Sequence, residues 1–511
     1  MFRLRKVTVI LTQMALVAAF AVTPAATETN GDRERINAQE LEEWLTYFSS
    51  DEFEGRATFS EGLGLAAGYI AGQLKSWGVK PGGPNGSYFQ RVAVLGVKSE
   101  NRSTITVEVN GQTRTFKHRE GVTFPSNVGS KRSFTADKVE FLGYGLYAPG
   151  ANHNDYDGKD VKGKVVVYLG AGPKGLNPQF RRVLSSRSRY AIDQGGGIAA
   201  IGPPNTFGGR RGQQPAGPGQ TPAPDFTTAQ RLDNVIAPSV TGSDEFFEFL
   251  FSGSDVKYAE LKAKSSNGEP LPAFSLKNVK LTFNLDADYT VVRTQYTRNV
   301  VGIIEGTDAR LKDTYVAYGS HYDHVGYSEG ELVQGDNGPR RLQARGRVTR
   351  GAEDDRIWNG ADDDGSGSVT MLAIAKAFAM GRKPRRSLLF VWHAGEERGL
   401  WGSRYFADYP TVPLDKIVAE INMDMVGRNR DNKQEEANTV YVVGSDRIST
   451  EFHNITVDAN KALARPLKLD YELNDPTDLE QIYYRSDHYS YAAKGIPIVF
   501  LTTGLHPDYH A

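Results

Sequence analysis

The sequence predicts an α/β fold in which a mainly parallel mixed sheet is flanked by helices and carries a small β-rich inserted domain. Two observations support this prediction. From Asn299 onward, apolar runs of strand length alternate with segments of helical periodicity, which is typical of parallel sheets covered on both faces. Between about residues 135 and 270, short apolar runs are instead bounded by glycine, as in a separate sheet of short strands.

Two helices are predicted near the N-terminus. Ala38 to Phe48 and Gly64 to Trp77 both carry apolar residues at helical spacing. From Ser103 to Phe116 apolar and polar residues alternate, and Asn110-Gly111 lies in the middle of this segment. That dipeptide is favoured in two-residue hairpin turns, so a pair of antiparallel strands is predicted here.

The glycine-bounded runs of the inserted region are predicted strands, and one helix accompanies them. The strands are Val139 to Gly145, Gly163 to Gly170 and Gly196 to Gly202, and the helix is Phe246 to Phe251. None of the acidic and histidine clusters described below falls in this region. It is therefore interpreted as a domain inserted into another one.

The C-terminal part supplies the alternating pattern of the main sheet. Its predicted strands are Val300 to Ile304, Tyr315 to Tyr318, Ser387 to Trp392, Ile417 to Met423, Val440 to Val443 and Ile496 to Leu501. Its predicted helices are Gly367 to Met380, Leu400 to Ala407 and Thr450 to Leu463. In such sheets ligands bind beyond the carboxyl ends of the strands.

Composition narrows the classes of partner. The net charge of the 511-residue chain is -1, which argues against nucleic acid or an anionic membrane as the main partner. The chain has no cysteine, so disulfides and thiolate metal ligands are excluded. No stable membrane span is expected.

The N-terminus has the pattern of a secretory signal. Arg3, Arg5 and Lys6 precede an apolar stretch from Val7 to Val22, and small residues follow at Ala25-Ala26. The alternative is a transmembrane anchor, but the apolar stretch is shorter than the roughly 20 residues that a span needs. The sequence therefore predicts an exported protein, periplasmic or secreted.

Acidic residues and histidines cluster where predicted strands end or a glycine-rich turn begins. The clusters are His321-Tyr-Asp323, Asp362-Asp363-Asp364, Glu396-Glu397, Asp424 and His510. Zinc accepts imidazole nitrogen and carboxylate oxygen, and two zinc ions at close range require a bridging carboxylate. The aspartate triplet can supply that bridge, and Asp323 can orient His321. Of the two adjacent glutamates, one can bind metal while the other moves a proton.

Some of these clusters also have a simpler interpretation. An aspartate triplet before glycine is commonly a turn or a helix cap, and Glu-Glu before Arg-Gly is commonly a solvated turn. Asp424 is different, because a charged side chain that ends an apolar strand is costly unless it is paired or metal-bound. The joint occurrence of the clusters at strand ends favours a two-metal hydrolytic site.

The motifs resemble those of the co-catalytic zinc aminopeptidase family, which includes glutamate carboxypeptidase-like members. They are His-Tyr-Asp-His-Val-Gly (321–326), Asn-Gly-Ala-Asp-Asp-Asp-Gly-Ser-Gly (359–367), Ala-Gly-Glu-Glu-Arg-Gly-Leu-Trp-Gly-Ser (394–403), Asn-Met-Asp-Met-Val-Gly (422–427) and His-Pro-Asp-Tyr-His (506–510). The resemblance runs from about Arg298 to the end. Residues 50–56 and 86–92 also resemble exported bacterial members, and the inserted region is similar to a protease-associated domain.

The resemblance implies a fold, two zinc ions per chain and a role for each residue. The fold would be that of the zinc exopeptidases, a phosphorylase/hydrolase-like α/β architecture. One zinc would be held by His321 and Asp424, the other by Glu397 and His510, with Asp363 bridging. Glu396 would be the general base and Asp323 the orienting carboxylate. The Asp363-Asp364 peptide bond would be cis, and His488 with Tyr489 or Tyr491 would face a peptide substrate.

The implied organisation has four parts. These are a signal peptide (1–26), the N-terminal part of the peptidase domain (32–130), the inserted protease-associated domain (131–280) and the catalytic domain (281–511). The sequence stops one residue after His510, whereas family members continue, so either a truncation or an unusual end is indicated. The polar stretch from Ser328 to Asp355 is interpreted as an insertion that narrows the cleft or as a passive surface loop.

Three functions are compatible with these residues. The favoured one is an exported zinc aminopeptidase that removes N-terminal residues from peptides. A carboxypeptidase or dipeptidase of the same family would need a cation for the substrate carboxylate, which Arg485 or Arg428 can supply. A non-catalytic binding protein or receptor ectodomain is disfavoured, since such proteins typically lose the base or a ligand, whereas Glu396 and all five ligand candidates are present.

Overall fold

The computed structural model describes residues 36–204, 223–330, 332–335, 338–341, 346 and 354–511. The predicted signal peptide (1–26) and half of the insertion from Ser328 to Asp355 lie outside these residues. The described chain forms two compact units. The first contains residues 36–94, 294–475 and 482–511, and the second contains residues 95–293, except those not described, and 476–481.

The first unit is built on a mixed sheet whose centre is parallel, which confirms the predicted fold class. Its strands lie in the order Phe89–Asn101, Ala287–Ile304, Ser387–His393, Tyr315–His321, Ile417–Met423, Ile498–Thr502, Thr439–Val443 and Lys468–Asp470. The four strands from Ser387–His393 to Ile498–Thr502 run parallel. Their carboxyl ends therefore meet at one edge of the sheet.

Helices cover both faces of this sheet. Ala38–Phe48, Glu61–Ser76 and Gly367–Met380 contribute to the larger apolar core on one face. Trp401–Asp408 and His488–Ala492 contribute to the core on the other face. The strand Ser387–His393 is buried at every position, because its alternate side chains enter the two cores.

The second unit is built on a ten-stranded sheet of short strands. Their order is Ala273–Leu276, Val139–Leu142, Val165–Val167, Ala199–Gly202, Ser239–Gly242, Gly121–Thr123, Gln112–His118, Thr104–Val109, Val279–Leu285 and Arg132–Ala136. Helices Asp244–Leu250 and Tyr258–Asn267 pack on it. The predicted hairpin is present, with φ of 47° at Asn110 and 80° at Gly111.

The boundaries of this unit correct the predicted insertion limits of 131 and 280. The unit begins at Leu95 and its main segment ends at Arg293. The reason is that strand Thr104–Val109 pairs with Val279–Leu285, and Gly121–Thr123 pairs with Ser239–Gly242. Residues 104–123 thus share one sheet with the predicted insert. Its identity as a protease-associated domain stays a prediction.

Among the residues that the structure describes, no helix has the length and apolar character needed to cross a membrane.

Candidate metal centre

The predicted ligands converge at the carboxyl edge of the main sheet. His321 is the last residue of its strand, and Asp424 directly follows the neighbouring strand Ile417–Met423. The His321 Nε2 atom lies 3.2 Å from Asp363 Oδ1 and 3.7 Å from Asp424 Oδ1. These three buried side chains offer ligand atoms that all lie within 4.8 Å of one another.

A second group lies on the other side of Asp363. His510 Nε2 is 3.1 Å from Glu397 Oε2 and 3.4 Å from Asp363 Oδ2. His324, which the sequence analysis left without a role, joins them: its Nδ1 lies 3.1 Å from Glu397 Oε1. His324, Asp363 and Glu397 also offer ligand atoms within 4.8 Å of one another. Asp363 belongs to both groups, as a bridging carboxylate must.

The three aspartates of the triplet differ in their contacts. The peptide bond between Asp363 and Asp364 is cis, as the resemblance implies. The Asp364 carboxylate belongs to neither group and accepts hydrogen bonds from backbone N–H groups of His321 (3.2 Å), Gly367 (2.9 Å) and Met425 (3.2 Å). It therefore ties three segments of the centre together.

Asp362 likewise has a structural role. Its carboxylate accepts a hydrogen bond from the N–H of Gly427 at 2.7 Å and lies 3.0 Å from His506 Nε2. Asp362 and Asp364 are thus held by the scaffold, and the middle carboxylate alone lies in both ligand groups.

Asp323 positions the loop of the two glutamates. Its carboxylate accepts hydrogen bonds from the Glu396 N–H at 3.1 Å and from the Thr58 hydroxyl at 3.0 Å. The His321 Nδ1 atom is closer to the Asp323 carbonyl oxygen, at 3.1 Å, than to its carboxylate, at 3.7 Å. The backbone of Asp323 is therefore the nearer acceptor for the imidazole.

The environment drives the two adjacent glutamates toward opposite protonation states. Burial raises the pKa of Glu396 well above its ordinary value, and the carboxylates of Glu397 and Asp424 act in the same direction. Although burial also opposes ionisation of Glu397, the imidazoles of His324 and His510 hold its pKa well below its ordinary value. The two neighbouring carboxylates thus differ in the protonation state that their surroundings favour.

Arg56 is a second residue that sequence reasoning missed. Its side chain is fully buried, and its guanidinium donates to the carbonyl oxygens of Tyr322 (3.0 Å), Phe48 (2.9 Å), Asn359 (2.6 Å) and Gly360 (2.8 Å). Burial lowers the pKa of Arg56 to about 10, whereas the nearby carboxylates, Asp364 foremost, favour its charged form. It anchors the segment that leads into the aspartate triplet.

The donor set fits divalent zinc. The two groups contain only imidazole nitrogen and carboxylate oxygen, the ligands that zinc accepts when cysteine is absent. Three carboxylates, those of Asp363, Glu397 and Asp424, lie side by side and largely buried. Such a concentration of negative charge is costly without cations between the carboxylates.

Two predicted substrate-facing residues lie elsewhere. Tyr491 is fully buried, and its hydroxyl is 2.9 Å from His393 Nε2. His488 is also fully buried, stacks on Phe500 and has its Nε2 2.8 Å from the carbonyl oxygen of Tyr483. Neither side chain faces a substrate, because the helix His488–Ala492 packs into the core that covers the sheet, and the half-buried Tyr489, the alternative to Tyr491, stays a prediction.

His488 makes the stability of the folded protein sensitive to acid. Burial lowers its pKa from 6.5 to about 3, the Arg447 charge acts in the same direction, and the Tyr483 carbonyl and Asp487 oppose it. Between these pH values the unfolded chain binds a proton that the folded one does not, so stability falls as pH falls below about 6.5.

The expected contribution is about 2 kcal/mol between pH 6.5 and pH 5. It is measured by urea unfolding of wild type and His488→Gln at several pH values. The wild type should lose that much more stability than the variant over this interval. Equal pH dependence in the two proteins would show that His488 does not titrate in this way.

Comparison with known proteins places the motifs in a family. Residues 299–511 match the model of Peptidase family M28. The match covers every predicted ligand and the predicted base, and it confirms the resemblance drawn from the motifs.

Curated relatives of this chain carry peptidase names. A "Probable leucine aminopeptidase" of Arthroderma benhamiae is 32% identical over 147 residues, which are 28% of this chain and 36% of that protein. "Leucine aminopeptidase 1" of Sclerotinia sclerotiorum is 26% identical over 287 residues, which are 51% of this chain and 70% of that protein. The chain thus spans only about a third of the length of the first relative.

Among solved structures, a zinc aminopeptidase from Bacillus subtilis aligns with a TM-score of 0.40 at 18% identity. The alignment covers 93% of this chain and 88% of that one.

Proposed function

We propose that this chain is an exported, zinc-dependent aminopeptidase that removes N-terminal residues from peptides at a centre of two zinc ions. The observation that carries the proposal is the pair of ligand groups that share Asp363, with Glu396 beside them. In this proposal His321 and Asp424 hold one zinc, and Glu397 and His510 hold the other.

Zinc, when bound, supplies Lewis-acid polarisation of the scissile carbonyl and makes water easier to deprotonate. Residues of the chain provide the proton transfer and position the group that carries it out. Glu396 takes the proton of the attacking water and delivers it to the leaving amine, and the burial that raises its pKa makes it a stronger base. Asp323 fixes the backbone from which Glu396 projects.

The N-terminal preference rests on two supports. Relatives of the M28 region are named leucine aminopeptidases. In addition, Arg428, one of the two cations considered for a substrate carboxylate, is engaged in an ion pair with Asp508 at 2.6 Å and donates to Asn432. Arg485 Nη2 lies 3.4 Å from the Tyr509 hydroxyl and is the remaining candidate for a carboxypeptidase clamp.

Export is supported by the N-terminal pattern of residues 1–26. A peptide substrate is supported by the family of the C-terminal part.

A panel of one peptide in four forms tests the end preference. The N-terminus is free or acetylated, and the C-terminus is free or amidated. We expect rapid release of the first residue from both forms with a free N-terminus, abolished by a chelator and restored by zinc. Cleavage of the acetylated forms, with loss of cleavage on amidation, would indicate a carboxypeptidase. Absence of any chelator-sensitive release would leave the binding-protein hypothesis.

A further inference from the structure

His324 has a rigidly defined place in the metal centre. Its side chain is 1% exposed. Its backbone N–H donates to the Arg56 carbonyl oxygen at 3.0 Å, and it forms a parallel β-bridge with Ala57. The imidazole packs directly on Gly360, where a Cβ atom would lie 2.5 Å from His324 Cγ. Backbone and ring are thus both held by neighbouring segments.

Both ring nitrogens of His324 lack a hydrogen-bond partner among the described residues. A buried imidazole without partners is costly, since each nitrogen has lost its water. The Nδ1 atom is not isolated, however. It faces Glu397 Oε1 at 3.1 Å and Asp363 Oδ2 at 4.0 Å, outside hydrogen-bonding geometry but within the reach of a shared cation.

Two imidazoles therefore flank Glu397. His324 lies nearest Oε1, and His510 lies nearest Oε2. Their rings are 5.8 Å apart and nearly perpendicular, at 79°. Asp363 completes this set, since its Oδ2 atom lies 3.4 Å from His510 Nε2 and 4.0 Å from His324 Nδ1.

We propose that His324 is a direct ligand of the zinc held by Glu397 and His510. The inference rests on the proposed function, because it assumes that this position binds zinc. That zinc would then have four protein ligands, Asp363, Glu397, His324 and His510. The other would have three, His321, Asp363 and Asp424. Four protein ligands are typical of closed zinc sites, and three are typical of sites that keep a position for water or substrate.

The two zinc positions would then have different functions. The zinc beside His321 would be the one open to substrate and water. The zinc beside His324 would be held tightly and would exchange slowly, and its main effect would be to fix Asp363 and the glutamate loop.

Zinc binding to His324→Ala, His324→Gln and the control His453→Ala tests the proposal. His453 is a half-buried histidine on helix Thr450–Lys461 that contacts Ser445, away from the metal groups. Each purified protein is titrated with zinc against a chromophoric chelator. We expect wild type and His453→Ala to bind two zinc ions, one much more tightly than the other. In both His324 variants the zinc affinity of the tighter site should fall by more than about 100-fold. A loss of about 100-fold is the most that is typical when a residue that only supports a metal ligand is removed.

X-ray absorption of zinc-loaded wild type supplies a measurement that needs no variant. The fine structure should fit three imidazoles shared by two zinc ions, whereas two imidazoles would overturn the proposal. Loss of about 100-fold or less in the variants would also overturn it, since His324 would then act only by positioning Glu397. If the wild type bound fewer than two zinc ions, the two-metal centre itself would be contradicted. Failure of the proposed function can therefore be distinguished from failure of the His324 proposal.

Discussion

Replacing Glu396 by glutamine is expected to lower the rate of peptide hydrolysis by about 10²–10⁴-fold, the range that general acid–base catalysis contributes. Glutamine has nearly the same shape but cannot accept the proton of the attacking water. The backbone N–H of residue 396 still donates to Asp323, so the loop should keep its position. The measurement is kcat for a free peptide, together with zinc content by mass spectrometry.

The adjacent residue provides a matched comparison. Glu397→Gln should lose zinc as well as activity, because Glu397 is flanked by His324 and His510 and its environment favours the charged carboxylate. Glu451→Gln, an exposed change in the first turn of Thr450–Lys461, should leave both quantities unchanged. If Glu396→Gln turned over at the wild-type rate, another group would have to be the base.

Arg56→Met is expected to lower the free energy of unfolding by about 3–5 kcal/mol, the cost of removing one partner from a buried charged arrangement. The variant loses the hydrogen bonds to four backbone carbonyl oxygens in the protein interior. It also removes a positive charge from beside several buried carboxylates. Methionine fills a similar volume, so the loss is not one of packing alone. Urea unfolding of the zinc-free proteins measures the effect.

Arg465→Met is the control for this change, since Arg465 is exposed and has no described ion pair or hydrogen bond. Zinc binding separates the two consequences of losing Arg56. Asn359 and Gly360 lead directly into the aspartate triplet, so the zinc affinity of Arg56→Met should fall along with its stability. A variant as stable as Arg465→Met would refute the anchoring role of Arg56.

The sheet and most of the candidate metal ligands could be predicted because both leave local signals. Apolar runs identify the strands, and a charged residue such as Asp424 at the end of such a run is conspicuous. Once the strands are taken to be parallel, their carboxyl ends meet, and His321, Glu397 and Asp424 must come together.

Other parts of the centre leave no such signal. Arg56 binds backbone carbonyls of Tyr322 and Gly360, and carbonyl oxygens are present at every position of the chain. His324 follows His321 by three residues, and its bridge with Ala57 and its approach to Glu397 join segments that are far apart in the sequence. The three aspartates of the triplet have identical side chains, so their separate roles depend on the backbone course.

The domain boundary failed for a related reason. The alternating pattern of Thr104–Val109 is the same whichever sheet the strand joins. Its partner, Val279–Leu285, is far away in the sequence, so the pairing that assigns it to the second unit is invisible locally.

The central claim is that two zinc ions share Asp363. The most direct test is an anomalous difference map at the zinc edge from crystals of the zinc-loaded protein. The account predicts two peaks that both contact Asp363, one beside His321 and Asp424 and the other beside Glu397 and His510. A single peak, or two peaks of which one does not contact Asp363, would contradict it.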